Sequence, residues 1–286
     1  MLQVVTHSGK FHADDVLAWS LLKEFYPYEM NLNRTRDVAI IEQADIVFDV
    51  GGLYEPQNRR FDHHQKEYTG SLSSAGMVLK WLRNNNFISE SLAIRLNDRL
   101  VAYVDAVDNG IVEIHRSVPD YTTIVDLCNN TANRLEEFDQ QFIKASQMTR
   151  MIISHIVQEE LRQLKASAIV LDAMKQSEAN KTNLLELPEY LSWKSSYFEN
   201  GGTEHHTEFV LFPTLQNTWQ MVAIPPTEDS FAQKRSFPES WAGLRDEELS
   251  LVTGEDSIFC HKNRFIAVFK TREAAIRSMR KFNLLN

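Results

Sequence analysis

Histidines and aspartates are concentrated in two short stretches of this 286-residue chain. Four of the nine histidines lie in residues 7–12 and 63–64, and aspartates adjoin both stretches. Imidazoles and carboxylates mixed in this ratio suit Mn²⁺, Fe²⁺, Co²⁺ or Zn²⁺ better than Ca²⁺ or Mg²⁺, which prefer oxygen ligands. The sequence therefore predicts a metal site, with Mn²⁺ as the first expectation. The candidate residues are His7, His12, Asp14, Asp49, Asp62, His63, His64, Asp105 and Asp108.

Strand-like and helix-like patterns alternate through the first hundred residues, which predicts a mostly parallel sheet flanked by helices. Because the carboxyl ends of parallel strands share one edge, side chains that follow the first strand should lie near Asp49, which ends the third. The predicted strands are residues 2–6, 29–35 and 46–50. One predicted helix begins at Asp14, and three others cover residues 37–43, 75–83 and 92–106.

Each candidate residue has an ordinary explanation when it is taken alone. An aspartate before a helix, such as Asp14 or Asp37, is usually an N-cap, and a single histidine is usually an unremarkable polar side chain. Asp49 differs, because a carboxylate within Ile-Val-Phe-Asp-Val is costly to bury unless a cation or hydrogen bonds compensate it. Taken together, the residues favour a functional cluster.

The second half of the chain has a different composition and predicts a second, α+β domain beginning near residue 166. Residues 134–175 lack glycine and proline and are predicted to form a pair of connecting helices. We therefore divide the chain into a catalytic domain (1–133), connecting helices (134–165) and a smaller C-terminal domain (166–286). Short β-like runs occur at residues 169–171, 208–212, 220–224, 257–260 and 265–269.

The overall charge restricts the classes of partner. The formal net charge is -9, so no general basic field attracts long nucleic acid. A strand end, a short oligonucleotide or a small phosphate ester fits better. The only two cysteines, Cys128 and Cys260, provide no disulfide framework, and no apolar stretch is long enough for a bilayer. We expect a cytoplasmic protein without a membrane partner; homodimer formation is left open.

Eight stretches of the sequence together resemble the melanocyte-proliferating-gene family of metal-dependent hydrolases (uncharacterised family 0160). Three of them are Thr-His-Ser-Gly-Lys-Phe-His-Ala-Asp-Asp at 6–15, Arg-Phe-Asp-His-His-Gln at 60–65 and Val-Asp-Ala-Val-Asp-Asn-Gly at 104–110. That family is similar to the DHH phosphoesterases, so the resemblance implies a DHH-like catalytic domain in the N-terminal half. The other stretches are residues 34–37, 49–52, 73–76, 239–247 and 271–273.

The resemblance also implies two divalent metal ions, which would activate a water and stabilise the leaving oxygen of a phosphate ester. The superfamily usually has an aspartate where this chain has His12, a departure that affects the expected metal preference. One ion would use His7, His12 and Asp49, and the other would use Asp14, Asp49, His63 and Asp105, with Asp49 bridging. Among the catalytic candidates, Asp62 would orient the histidines and His64 would face the substrate phosphate, with Asp108 beside them.

Substrate recognition is expected across a cleft, with the C-terminal half contributing phosphate contacts. Trp241 either stacks on a base or fills the core, the second being the commoner fate of tryptophan. The family commonly carries a Gly-Gly-His element before its final helix, whereas this chain has Phe-Ile-Ala-Val-Phe at residues 265–269. The candidate substrate-binding residues are Arg34, Arg36, Lys234, Arg235 and Arg245.

Three functions remain open at this point. The first is a 3′–5′ exonuclease acting on RNA or short oligonucleotides, as the resemblance implies. The second is hydrolysis of a small phosphate compound such as pyrophosphate, a cyclic dinucleotide or a nucleoside bisphosphate. The third is a non-catalytic, metal-binding regulatory protein.

Overall fold

The computed structural model describes residues 1–114 and 118–286. It confirms the α/β class, with two mixed five-stranded sheets. The chain divides into two compact units, Met1–Glu160 and Leu161–Asn286, and each unit contains one of the sheets.

The first unit contains five strands and the helices that follow them. Its strands are β1 (Leu2–Thr6), β2 (Met30–Arg34), β3 (Ile46–Phe48), β4 (Tyr54–Glu55) and β5 (Arg60–Phe61). Its helices are α1 (Ala13–Phe25), α2 (Val38–Gln43), α3 (Ser74–Asn84), α4 (Glu90–Leu96), α5 (Ala102–Asp108), α6 (Tyr121–Asn129) and the beginning of α7 (Leu135–Ala179).

The sheet of this unit has the order β2-β1-β3-β5-β4 and is parallel except for the β4–β5 pair. The prediction of a mostly parallel sheet is therefore confirmed. Every residue of α1 from Ala13 to Leu22 is buried, because the helix lies within the main core together with β1, β3 and α3. A helix that is buried on every side over most of its length suits such a central position. The helix that begins at Asp14 is therefore fixed in position by core packing along its length.

The helix predicted over residues 92–106 is longer and less regular than expected. The structure has α4, then a π-helical segment Asn97–Val101, then α5. π-helical insertions are uncommon and often occur at functional sites. The wider turn leads into α5, which carries Asp105 and Asp108.

Two predictions around the unit boundary are wrong. The expected pair of connecting helices is the single 45-residue helix α7, and the strand expected at residues 169–171 lies within it. Ala166, Val170, Ala173 and Met174 are buried at helical spacing, so Val170 lies on the buried face of the helix whereas Leu171, the next residue, is exposed. Among the described residues no helix, including α7, is both long and apolar enough to cross a bilayer.

The second unit packs its sheet between two apolar layers. Successive residues of β7 alternate between them: Phe209 and Leu211 join one cluster, and Val210 and Phe212 join the other. Its sheet order is β6-β7-β8-β10-β9, with only β6–β7 parallel. After α7 its elements are β6 (Leu184–Glu186), α8 (Trp193–Glu199), β7 (Phe209–Pro213), β8 (Trp219–Ala223), α9 (Asp246–Thr253), β9 (Ser257–Cys260), β10 (Ile266–Phe269) and α10 (Arg272–Lys281).

Trp241 belongs to the core of this unit, so the alternative in which it stacks on a nucleobase is wrong. Its side chain is fully buried, and its ring stacks on Phe237 and meets the edges of Phe269 and Phe282. Such aromatic packing stabilises the second unit from within.

Candidate metal centre

The carboxyl edge of the parallel sheet gathers side chains from five parts of the first unit. His7 follows β1, Asp49 follows β3, and the loop after β5 carries His63. Asp14 and Asp15 begin α1, and Asp108 ends α5. The expectation that side chains after the first strand lie near Asp49 is confirmed, and the ligand atoms of this cluster form overlapping groups that could hold a metal ion.

Asp49 lies at the centre of the cluster. Its Oδ2 lies 3.2 Å from Nε2 of His7 and its Oδ1 lies 3.5 Å from Nε2 of His63, while the hydroxyl of Ser74 at the start of α3 donates to Oδ1 at 3.2 Å. Its backbone is left-handed, with φ 56°, a conformation that most residues avoid and aspartate tolerates. A residue held in this conformation at a buried strand end is typical of a functional position.

His7 presents one ring nitrogen to two carboxylates. Its Nε2 lies 3.2 Å from Oδ2 of Asp15 as well as from Asp49. Its Nδ1 is 3.3 Å from the carbonyl of Ser8, which can accept the Nδ1 proton, and that tautomer leaves the Nε2 lone pair free for a metal. Burial opposes protonation, but Asp15 and Asp49 outweigh it and raise the pKa of His7 to about 10 in the metal-free site.

A second group is formed by His63, Asp14 and Asp108. Nε2 of His63 lies 3.0 Å from Oδ2 of Asp108 and 3.7 Å from Oδ2 of Asp14. Burial, reinforced by the negative charges of Asp49 and Asp108, raises the pKa of Asp14 well above its usual range. For His63 the two carboxylates, Asp108 and Asp49, outweigh burial and raise the imidazole pKa to about 10.

Several of these buried atoms lack hydrogen-bond partners in the metal-free chain. They are both oxygens of Asp14, Oδ2 of Asp15, Oδ2 of Asp49 and Nε2 of His63. Buried polar groups are nearly always satisfied, and ionised carboxylates in such a setting need a compensating cation. The donor set therefore fits a divalent metal.

The spacing of the donor atoms supports the same conclusion. Two ligands bound at right angles to one ion at about 2.1 Å lie about 3 Å apart, and the separations here are 3.0–3.7 Å. Asp49 belongs to three of the four donor groups. The groups are His7–His12–Asp49, Asp49–His63–His64, Asp14–His63–Asp108 and Asp14–Asp15–Asp49.

His64 and Asp62 form a hydrogen-bonded pair at the rim of the cluster, where Nδ1 of His64 also lies 3.5 Å from Oδ1 of Asp49. Nδ1 of His64 lies 2.8 Å from Oδ1 of Asp62, and Oδ2 of Asp62 accepts from the backbone N–H of Gly52 at 2.6 Å. Although burial would raise the pKa of Asp62, these hydrogen bonds lower it. The His64 side chain remains 61% exposed, so Asp62 fixes its ring while its other nitrogen stays accessible.

Asp105 and Asp108 occupy different places from those expected. Oδ1 of Asp105 accepts hydrogen bonds from the backbone N–H and hydroxyl of Ser73 and from the N–H of Gly76, so it caps the start of α3. In the described chain Asp108, and not Asp105, shares a donor group with His63. The structure thus places Asp108 beside the candidate metal ligands.

Asp15 was not among the sequence candidates. Its Oδ1 accepts from the backbone N–H groups of His12 and Val16, while its Oδ2 faces His7. The position three residues after the N-cap, which favours an acidic capping residue, is the sequence signal that could have identified it.

The basic residues predicted to bind substrate do not belong to the donor groups of the metal cluster. Arg34 is buried, donates to Asp139 and the carbonyl of Gly9, and lies over the ring of Phe142, whereas Arg36 is exposed. In the second unit, Lys234 donates to backbone carbonyls of Gly202 and His205. Arg235 pairs with Glu208, and Arg245 lies over the ring of Phe259.

The fold and the cluster define an α/β protein with a histidine–aspartate centre suited to divalent cations. The chain belongs to the uncharacterised protein family UPF0160, whose sequence profile matches residues 3–282. It is 36% identical over 277 residues to the MYG1 protein of Chlamydia trachomatis serovar D, covering 95% of this chain and 93% of that protein. It is 30% identical over 321 residues to the MYG1 exonuclease of Homo sapiens, covering 97% of this chain and 85% of that one.

Proposed function

We propose that this protein is a two-metal phosphodiesterase, specifically a 3′–5′ exonuclease acting on RNA or short oligonucleotides with Mn²⁺ as its metal. The observation that carries the proposal is the sharing of Asp49 among three donor groups, together with the lack of hydrogen-bond partners at Oδ2 of Asp49, Oδ2 of Asp15 and both oxygens of Asp14. A carboxylate placed in this way suits two neighbouring cations. The family relationship supports the nuclease class, because mammalian relatives bear the name exonuclease.

In this proposal the residues have distinct roles. His7 and His12 hold one ion and Asp14 and His63 the other, with Asp49 between them. Asp108 completes the second group by its position next to His63, and Asp105 positions the start of α3. When bound, the two cations neutralise the phosphodiester and promote attack by water.

His64 is the proposed contact to the substrate phosphate. Its Nδ1 is committed to Asp62, so Nε2 is available at the exposed rim. We assign recognition of the rest of the substrate to residues 166–286 and place the protein in the cytoplasm. Because the chain carries a net charge of -9, phosphate binding depends on the metals and on local cations, which favours short substrates.

The test uses a 5′-labelled short RNA and metal-stripped protein supplied with Mn²⁺, Mg²⁺ or no metal. We expect a ladder of shortened labelled products that requires added metal. Asp49→Asn and His63→Ala should each abolish turnover, whereas His155→Ala, which changes an exposed histidine of α7, should not. Wild-type rates in either of the first two variants would refute the two-metal proposal.

A second candidate, hydrolysis of a small phosphate compound, is favoured by one observation. Where the family resemblance leads us to expect Gly-Gly-His, the chain forms β10, and both Ala267 and Phe269 of that strand are buried in the core. This segment therefore packs the second unit and offers no glycine loop to a polynucleotide. Phosphate release from pyrophosphate or a nucleoside bisphosphate, with RNA left intact, would favour this candidate.

A further inference from the structure

One recess in the first unit is lined by aromatic side chains and contains none of the candidate metal ligands. Its volume is about 530 Å³, within the range of small-molecule sites. It lies at the end of α1 and beside the last turns of α3. Its aromatic lining consists of Tyr26, Tyr28, Tyr54, Trp81 and Phe87.

The aromatic floor is fixed and its rim is accessible. Tyr26 packs against Trp81 with ring centroids 5.2 Å apart and against Phe87 at 5.0 Å, and both Tyr26 and Trp81 are 8% exposed. Tyr28 lies 4.9 Å from Tyr26 but is 58% exposed. Such an arrangement presents a preformed ring face to which a planar group can stack.

The rim provides cations and amides. In the part of the chain that the structure describes, neither Arg59 nor Lys80 has a carboxylate within ion-pair distance, although both line the recess. Gln57, Asn84 and Asn85 add amide groups. Two unpaired cations in a protein with a net charge of -9 mark a local site for an anion. A planar, hydrogen-bonding base linked to a phosphate matches the floor and the rim together.

The recess is far from the metal cluster. Asp14 begins α1 at the cluster, and Tyr26 follows the other end of that helix, about 18 Å away at 1.5 Å per residue. A helical nucleic-acid strand advances about 3.4 Å per nucleotide. Because α1 is buried between the two places, a strand must follow the surface around it, so at least about five nucleotides are needed. A dinucleotide at the metals cannot reach the recess.

We propose that this recess binds a nucleotide in the body of a single-stranded nucleic acid, at least about five residues from the end held at the metals. The base stacks on Tyr28 over the floor of Tyr26 and Trp81, and the phosphates contact Arg59 and Lys80. The position along the strand rests on the proposed function, whereas the binding chemistry does not.

The test separates binding from hydrolysis by using metal-stripped protein and a fluorescein-labelled decaribonucleotide, followed by fluorescence anisotropy at several salt concentrations. We expect Tyr28→Ala to weaken binding at least tenfold. The double variant Arg59→Gln/Lys80→Gln should weaken it as well and reduce the slope of log affinity against log salt by about 1.4, since each lost phosphate contact on a single strand contributes about 0.7. The controls are Tyr103→Ala, a tyrosine of the first unit that is 37% exposed and does not line the recess, and Lys144→Gln on α7.

Several results would overturn the proposal. They are the absence of decamer binding by the wild-type protein, equal losses in the control variants, or an unchanged salt slope in the double variant. A change of oligomeric state in Tyr28→Ala, measured by sedimentation, would assign the recess to a second copy of the chain instead. If the decamer binds as expected but is never hydrolysed with any metal, the exonuclease proposal fails and the nucleotide site stands.

Discussion

At the scale of single residues, Asp49 combines a chemical and a conformational requirement. Its carboxylate faces His7 and His63, and its backbone is left-handed. Asparagine tolerates this conformation, whereas alanine pays about 1 kcal/mol or more for it. We therefore expect Asp49→Asn and Asp49→Ala both to lose metal binding, with Asp49→Ala less stable by about 1 kcal/mol. Urea unfolding of the two metal-free variants measures the difference, and equal stabilities would contradict the conformational argument.

Asp15 provides a second test at this scale. Asp15→Asn can keep the cap through its Oδ1 while replacing the oxygen that faces His7 with an NH₂ group. We expect metal affinity to fall about 10- to 100-fold, the usual effect of losing a supporting partner, with little change in the stability of the metal-free protein. Isothermal titration with Mn²⁺ measures the affinity.

The control for this prediction is Asp37→Asn, because Asp37 caps α2 through its side chain but is exposed. If the two variants bind Mn²⁺ equally well, Asp15 acts only as a helix cap.

Residue types alone predicted most members of the cluster, but they did not predict which partner each side chain contacts. The mixture of histidine and aspartate pointed to a cation, and the parallel sheet explained why Asp49 meets His7. Asp105 contacts the start of α3 and Asp108 contacts His63. Which of the two does so depends on how α5 is rotated about its axis relative to α3, and the sequence does not give that rotation. The contacts of Arg34 could not be predicted from the sequence either, because its partners Asp139 and Phe142 lie on a helix that is distant in the chain.

At the scale of elements, α3 and α5 approach each other through Gly76. A Cβ at this position would lie 2.7 Å from Oδ1 of Asp105 and closer still to Oδ2, well inside contact distance. Although alanine favours a helix by about 1 kcal/mol over glycine, we expect Gly76→Ala to lower the free energy of unfolding, because the Asp105 carboxylate must leave its hydrogen bonds to Ser73. Chemical unfolding of the metal-free protein measures this loss.

The double variant Gly76→Ala/Asp105→Ala serves as the control for this clash. In the Asp105→Ala background, Gly76→Ala should cost less than it does alone, since the crowded carboxylate is absent. Strictly additive losses would show that the clash is not the cause.

Local patterns predicted the elements that begin at the site better than those that connect the units. The strand before His7, the strand that ends near Asp49 and the N-cap at Asp37 were identified from short apolar runs and capping residues. The run at residues 169–171 is apolar and includes the β-branched Ile169 and Val170, and the surrounding residues determine its structure. Because Val170 packs against other residues of the second unit from a continuous helix, tertiary packing overrides the local preference.

At the scale of the whole molecule, the buried aspartates of the described residues all lie in the first unit. Asp14, Asp15 and Asp49 are each at most 3% exposed. Burial and mutual repulsion raise the pKa of Asp14, whereas hydrogen bonds from His63 and His7 hold the pKa of Asp49 below its usual range despite its burial. A divalent cation removes that repulsion and satisfies the unpaired oxygens. Metal binding should therefore stabilise the first unit, which contains all of these residues.

The location of the candidate metal ligands in the first unit predicts the effect of metal removal on thermal unfolding. A ligand at 100 times its Kd stabilises the folded state by about 2.7 kcal/mol, enough to raise the Tm of a unit of this size by several degrees. We expect differential scanning calorimetry to show a higher Tm for the first unit when Mn²⁺ is added to the stripped protein, with a smaller shift for Mg²⁺ because imidazoles are poor ligands for it. The Asp49→Asn variant should show neither shift, which separates specific binding from a general effect of divalent salt. An equal Mn²⁺ shift in that variant would contradict the assignment of the cluster as a metal centre, because no other group within the described residues is proposed to hold the ion.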